Sequence, residues 1–232
     1  MILWGKPVEV RVLFRAHMNN VIAIINDPDV TLGTIPSSVK TLNAWEVSWE
    51  SLDLTNTYII LGGHMGSYDD SEYEYLKSEK KWLKSAVQNN TKILGICLGA
   101  QLLSDALGGN AYLADNIEFG FKSLNFETDM EKFSEFTDVK VFTWHRDTFL
   151  IPPGAKLVAY TNFPQIYTIK NTVAFQFHPE ISKALFTKWY EKGRSKKELA
   201  NFNVDSELNY LEENIDSLSL AMNNFLNKWL VS

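Results

Sequence analysis

Three short stretches of this chain carry residue types that could do covalent chemistry. The first is Gly95-Ile96-Cys97-Leu98-Gly99, which follows the apolar run Ile93-Leu94 and precedes a helix-forming stretch, Leu98 to Leu107, stopped by Gly108-Gly109. A buried strand turning sharply into a helix is the setting of a nucleophile elbow, here with a thiol where a serine is more familiar. Gly95 and Gly99 leave room on both sides of the turn, so Cys97 can take a strained backbone conformation and point its sulfur outward. A thiol at a helix N-terminus also feels the positive end of the helix dipole, which favours thiolate. Cys97 is the single cysteine, so no internal disulfide can form.

A thiol nucleophile needs a base, and the base needs an orienting group. Of the four histidines, His178 ends the apolar strand Val173 to Phe177, and the C-terminal ends of parallel strands are where open α/β sheets place their sites. Pro179 biases His178 toward extended geometry, so Glu180, two residues on, can share its face and hold the imidazole. His145 follows the apolar strand Val139 to Thr143 and has Asp147 two residues on, so the same local argument applies to it. The third stretch, Gly62-Gly63-His64-Met65-Gly66, follows the strand Thr57 to Leu61 and can turn its backbone N–H groups toward a reacting carbonyl. With the N–H of Leu98, the residue after the cysteine, this stretch would make a two-donor oxyanion hole. His64 reads as a rim residue, and His17 has no partner motif.

The elements that must position these residues follow from periodicity. Strands are expected at Val8 to Phe14, near Glu46 to Trp49 and at Thr57 to Leu61, with a short helix over Met18 to Ile25 and a longer one over Glu72 to Val87. After the cysteine helix come strand-like segments at Ala111–Ala114, Lys122–Phe126, Val139–Trp144, Leu157–Tyr160, Gln165–Lys170 and Thr172–Phe177. Ser182 can cap a helix running to Tyr190, and Ser206 to Leu230 is a long amphipathic helix. Alternating strands and helices followed by a run of strands imply an α/β fold. Its open, mostly parallel central sheet is flanked by helices and extended by antiparallel strands, all in a single domain over 1–232.

Composition narrows the function classes. A 232-residue chain with 45% hydrophobic and 22% charged residues reads as an ordinary globular protein. The net charge of −6 argues against a nucleic-acid surface, and no apolar run is long enough to span a membrane. A lone thiol without a targeting segment points to the cytoplasm. The scattered histidines and single cysteine offer no metal-ligand spacing, and thiol acyl transfer needs no organic cofactor.

Taken jointly, Gly-Gly-His-Met at 62–65, Gly-Ile-Cys-Leu-Gly-Ala-Gln at 95–101, Trp-His-Arg-Asp at 144–147 and Phe-His-Pro-Glu at 177–180 resemble the class I glutamine amidotransferases, in that family's order and over roughly residues 8 to 190. The likeness is greatest to stand-alone domains related to the glutaminase half of GMP synthase, a flavodoxin-like fold. The resemblance implies that Cys97 attacks the side-chain amide of glutamine, that His178 is the base and Glu180 its orienter, and that the N–H groups of Gly63 and Leu98 hold the oxyanion. It also implies that Gln101 helps hold the substrate and that Trp144 and His145 line its pocket. It is this match that chooses His178 over His145. Where the GMP synthase half usually has proline and serine around the glycine pair, this chain has His64 and Gly66. No Gly-x-x-x-x-Gly-Lys-Ser/Thr motif occurs, so ammonia is expected to pass to a separate synthetase. The alternative is a hydrolase of γ-glutamyl peptides or conjugates, which needs the same three residues. A non-catalytic module on this fold is disfavoured by the intact motifs, and a related cysteine hydrolase and chaperone group by Leu98, where many of its members carry histidine.

Overall fold

The computed structural model describes residues 20–232. The expected strand at Val8 to Phe14 and His17 lie outside the described residues. In chain order the elements are β1 (Val21–Ile25), β2 (Lys40–Asn43), β3 (Thr57–Ile60), α1 (Tyr75–Gln88), β4 (Ile93–Ile96), α2 (Leu98–Ala106), β5 (Asn110–Lys122) and β6 (Asn125–Phe126). They continue with β7 (Val141–Leu150), β8 (Lys156–Tyr160), β9 (Pro164–Ile169), β10 (Thr172–Phe175), α3 (Lys183–Tyr190), α4 (Gly193–Glu198) and α5 (Val204–Val231).

An eight-stranded sheet runs in the order β2-β1-β3-β4-β10-β9-β8-β6. The pairs from β2 to β10 are parallel and those from β10 to β6 antiparallel. β5 and β7 form a separate antiparallel ribbon whose register shifts between Leu113 and Glu118. This is the α/β architecture expected, with its antiparallel extension.

Period-two alternation divides the apolar strand residues between the two faces. Ile22, Ile24, Tyr58, Ile60 and Ile93 pack under α1 and α2, against Leu76, Trp82, Leu83, Leu102 and Leu103. Val21, Ala23, Ile59, Leu61, Leu94 and Phe175 face α5, which covers them with Met222, Phe225, Leu226 and Trp229. The first half of α5 buries Leu211 and Leu218 against Phe119, Phe142 and Phe186. Its apolar stripe is therefore a core face. Ser182 caps α3 by accepting from the Leu185 N–H at 3.2 Å, as expected.

Two expectations fail. Val21 to Ile25 is not the end of a helix but strand β1, because its β-branched side chains are buried on both faces between β2 and β3. The stretch Glu46 to Trp49 leaves a turn and runs through a short loop into a 3-10 helix over Trp49–Ser51. The strand there is β2, a mostly polar edge strand. Among the described residues no helix is long and apolar enough to cross a membrane.

Candidate active site

Cys97 sits where β4 turns into α2, with φ 52° and ψ −106°. A non-glycine residue there stores roughly 1–3 kcal/mol of strain and needs its surroundings to hold it. Its N–H donates to Phe175 O of β10 at 2.7 Å, and its carbonyl accepts the Ala100 and Gln101 N–H groups that start α2. The helix presses so close to β3 that a Cβ on Gly99 would lie 2.2 Å from Ile60 O, so only glycine fits.

The parallel register sets Phe175 of β10 beside Ile96 of β4, so the chain leaving β10 passes the sulfur. The His178 N–H donates to Phe142 O of β7 at 2.8 Å. Its ring Nδ1 meets Glu180 Oε1 at 2.9 Å, and the ring lines the same cavity as Cys97. Both His178 and Glu180 are buried. A Cβ on Gly62 would lie 3.3 Å from His178 Cε1 and 3.6 Å from Cys97 Cβ, so the glycine turn closes over both. Trp189 of α3 stands edge-on to the imidazole at 4.8 Å. Burial works against a charge on His178, but the Glu180 carboxylate and the Cys97 sulfur outweigh it and raise its pKa to about 10.

Glu180 is held from an unexpected direction. The Thr34 N–H donates to Glu180 O at 2.8 Å, and a Cβ on Gly33, whose φ is +56°, would fall 1.8 Å from that oxygen. The aperiodic stretch between β1 and β2 thus clamps the chain at the carboxylate. Apart from Gly33 itself, nothing in its sequence signals this.

His145 also finds a glutamate, but not through the local pattern. Its Nδ1 meets the backbone oxygen of Asp147 at 3.0 Å, while the Asp147 carboxylate accepts from Tyr68 instead. Its Nε2 lies 3.1 Å from Glu118 Oε2 on β5. Thr161 and Gln165 donate to the same carboxylate at 2.9 and 2.7 Å. Burial pushes Glu118 toward its neutral form, but these bonds and the His145 ring win and hold its pKa below the usual range. Sequence reading missed Glu118, which lies 27 residues from His145 across an irregular ribbon.

Gln101, one turn into α2, donates from Nε2 to Asp147 O at 3.1 Å and reaches Gln176 Oε1 at 3.4 Å. Gln176, also missed, donates to Cys97 Sγ at 3.6 Å. On the rim, His64 Nδ1 lies 2.6 Å from Asp27 Oδ2, and the aspartate raises the pKa of this half-exposed ring.

One cavity of about 330 Å³ opens over these groups and is lined by Gly63, Cys97, Gln101, Trp144, His145 and His178. Glu180 stands behind His178, and Leu98 is buried as the first residue of α2, where its N–H has no partner within the helix. Every residue singled out in the sequence as a site candidate is therefore at, or directly behind, one cavity wall. No group of three His, Cys, Asp or Glu among the described residues is arranged to hold a metal ion.

Fold and site together define an α/β protein with a strained thiol at a strand-to-helix turn, beside a buried histidine–glutamate pair. The sequence model of the family Glutamine amidotransferase class-I matches residues 20–193, and the chain belongs to that family. A solved glutamine amidotransferase of Thermotoga maritima superposes with a TM-score of 0.78 at 26% identity, covering 91% of this chain and 98% of that one. A glutamine amidotransferase-like protein of Acanthamoeba polyphaga mimivirus is 28% identical over 153 residues, 65% of this chain and 69% of its own length. A subunit of the glutamine-hydrolysing GMP synthase of Methanococcus maripaludis is 32% identical over 106 residues, 42% of this chain. Against curated GMP synthases the chain spans between 20% and 54% of their length.

Proposed function

We propose that this chain hydrolyses the side-chain amide of glutamine, with Cys97 as nucleophile, His178 as general base and acid, and Glu180 as the group that orients His178. The observation that carries this is the strained Cys97 sharing one cavity wall with a buried imidazole whose Nδ1 is fixed by Glu180 at 2.9 Å. Sγ attacks the amide carbon, and the carbonyl oxygen gains the negative charge of a tetrahedral intermediate. The N–H groups of Gly63 and Leu98 take up that charge. Protonated His178 gives its proton to the amide nitrogen, the C–N bond breaks, and ammonia leaves a glutamyl thioester. His178 then takes a proton from water, whose oxygen displaces Sγ to give glutamate and restore the thiol.

Gln101, Trp144 and His145 form the wall against which the glutamine would be held, and no cofactor takes part in these steps. The relatives named as GMP synthase parts support a role as an amidotransferase domain or subunit that passes ammonia to a separate synthetase. A single cysteine that must stay reduced fits a cytoplasmic setting. A γ-glutamyl hydrolase working on peptides or conjugates is the second reading, supported by a cavity in the range that holds drug-sized ligands, roughly 300–1,000 Å³.

The test is glutamate release by the purified chain from L-glutamine, with Cys97→Ser as control. Release abolished in the control is the expected result. Release that survives Cys97→Ser, or a chain that neither releases glutamate nor forms a Cys97 adduct with a glutamine-like electrophile, would overturn the proposal.

A further inference from the structure

The charged residues around the cavity mouth are unevenly partnered. Among its acids, Asp27 is held by His64, Asp29 by Lys188 and Lys192, and Asp147 by Tyr68. That leaves Arg146, on β7 directly after His145, and Arg194 and Glu198, one turn apart on α4. All three line the cavity, and none makes a side-chain hydrogen bond or ion pair among the described residues. These are the two arginines of the described chain, and both stand at this one opening. Arg194 lines the same cavity as His64 and Asp147, within electrostatic reach of both.

A guanidinium is a rigid fork of donors that matches a carboxylate, and it costs little to desolvate partly at a cavity rim. Two free guanidiniums and one free carboxylate present the complement of two carboxylates and one ammonium. Free glutamine carries one carboxylate and one ammonium, and would leave one arginine unmatched. A γ-glutamyl amino acid carries one further carboxylate, on the amine that leaves. The cavity has room for it, since the buried floor around Cys97 need hold only the γ-glutamyl arm.

We propose that Arg146 and Arg194 are carboxylate-binding specificity residues, and that the site prefers γ-glutamyl compounds whose leaving amine bears a carboxylate over free glutamine. This rests on the reading of Cys97 as the nucleophile toward a γ-glutamyl carbonyl. Glu198 is the counter-charge for the ammonium. On cleavage the C–N bond to the amino acid breaks, His178 supplies the proton to the leaving nitrogen, and a free amino acid departs in place of ammonia.

Binding and turnover separate the two readings. Calorimetry on the full chain carrying Cys97→Ala compares γ-glutamylglycine, γ-glutamylglycinamide and L-glutamine. The first two differ in a single charge. The acid should bind about tenfold or more tightly than the amide, the size of one charge-assisted contact at a partly exposed site. In Arg146→Gln or Arg194→Gln that ratio should fall toward one, with Arg→Lys recovering part of it. Equal binding of acid and amide, a preference that survives both replacements, or no binding of either compound would overturn the inference. Turnover of the same compounds by the unmodified chain judges the chemistry separately. Equal binding with turnover sinks the specificity alone, and preferential binding without turnover sinks the hydrolytic reading alone.

Discussion

His178 and His145 each lie against a buried glutamate, Glu180 at 2.9 Å and Glu118 at 3.1 Å, and each has an acid two residues further on, but His178 follows strand β10 whereas His145 lies inside β7. The difference lies in the second ring nitrogen. His178 gives Nδ1 to Glu180 and leaves Nε2 without an oxygen partner among the described residues, in the cavity that Cys97 also lines. Both nitrogens of His145 are taken up, by the Asp147 carbonyl and the Glu118 carboxylate, so neither is left for a thiol. Glu118 is further shared with Thr161 and Gln165, whereas Glu180 takes its side-chain bond from His178. One pair keeps a ring nitrogen open to the cavity, and the other is bonded on both sides within the wall.

The comparison would break most sharply at the histidines themselves. His178→Asn is expected to lower amide hydrolysis by about 10²–10⁴-fold in kcat, the usual worth of a general base. His145→Asn should act mainly on KM, because it loosens the Asp147 carbonyl that Gln101 also binds. Steady-state kinetics of the two variants decide it, and equal losses in kcat would erase the distinction.

Next come the carboxylates. Glu180→Gln should cost about 10²-fold or more in kcat, because the ring loses its orienting charge. It should also change the pH dependence of stability. Folded His178 keeps its proton up to about 10, while an unfolded histidine releases it near 6.5, so between these values the folded state binds more protons. His178 then contributes stability that is full below about 6.5 and is lost as pH rises through about 10. Chemical denaturation across that window should show the fall in the native chain and a weaker one in Glu180→Gln. Glu118→Gln should instead spare kcat and cost about 3–5 kcal/mol of stability, the penalty for breaking a buried pair. A stable Glu118→Gln with crippled turnover would reverse the roles assigned to the two glutamates.

A third buried glutamate sharpens the same contrast, with the smallest expected effect. Glu79 of α1 has no histidine. Asn26 donates to its Oε1 at 3.2 Å, its Oε2 has no partner among the described residues, and burial raises its pKa to about 8. The folded state therefore binds more protons than the unfolded one between roughly 4.5 and 8, and Glu79 lowers stability as pH rises through that range. Glu79→Gln should leave turnover unchanged and gain roughly 1–3 kcal/mol at pH 8. No gain at pH 8 would mean that the carboxylate is solvated after all.

Much of the candidate site was legible because it is local. The β3, β4 and β10 runs end in glycine, cysteine and histidine motifs, and a strand-to-helix turn needs only its own neighbours to be recognised. β1 was misread because five apolar residues fit a buried strand and a helical face equally well. β2 escaped because an edge strand with exposed Lys40 and Thr41 carries no apolar signature. The partners of the wall, Glu118 and Gln165, and the clamp at Gly33 and Thr34 are fixed by contacts across the fold that no local period encodes.

That clamp has a consequence in time. Thr34 meets the Pro179-Glu180 segment across 145 residues of chain. At about 5–20 residues per second, a ribosome needs roughly 7–30 s to deliver the second half of the contact after the first. Until then the emerging polypeptide holds Cys97 without His178, and the Gly33–Thr34 turn without the backbone it clamps. The surroundings of the thiol are therefore completed late relative to the thiol itself, and a nascent or prematurely released fragment ending before residue 178 carries Cys97 without the histidine–glutamate pair beside it.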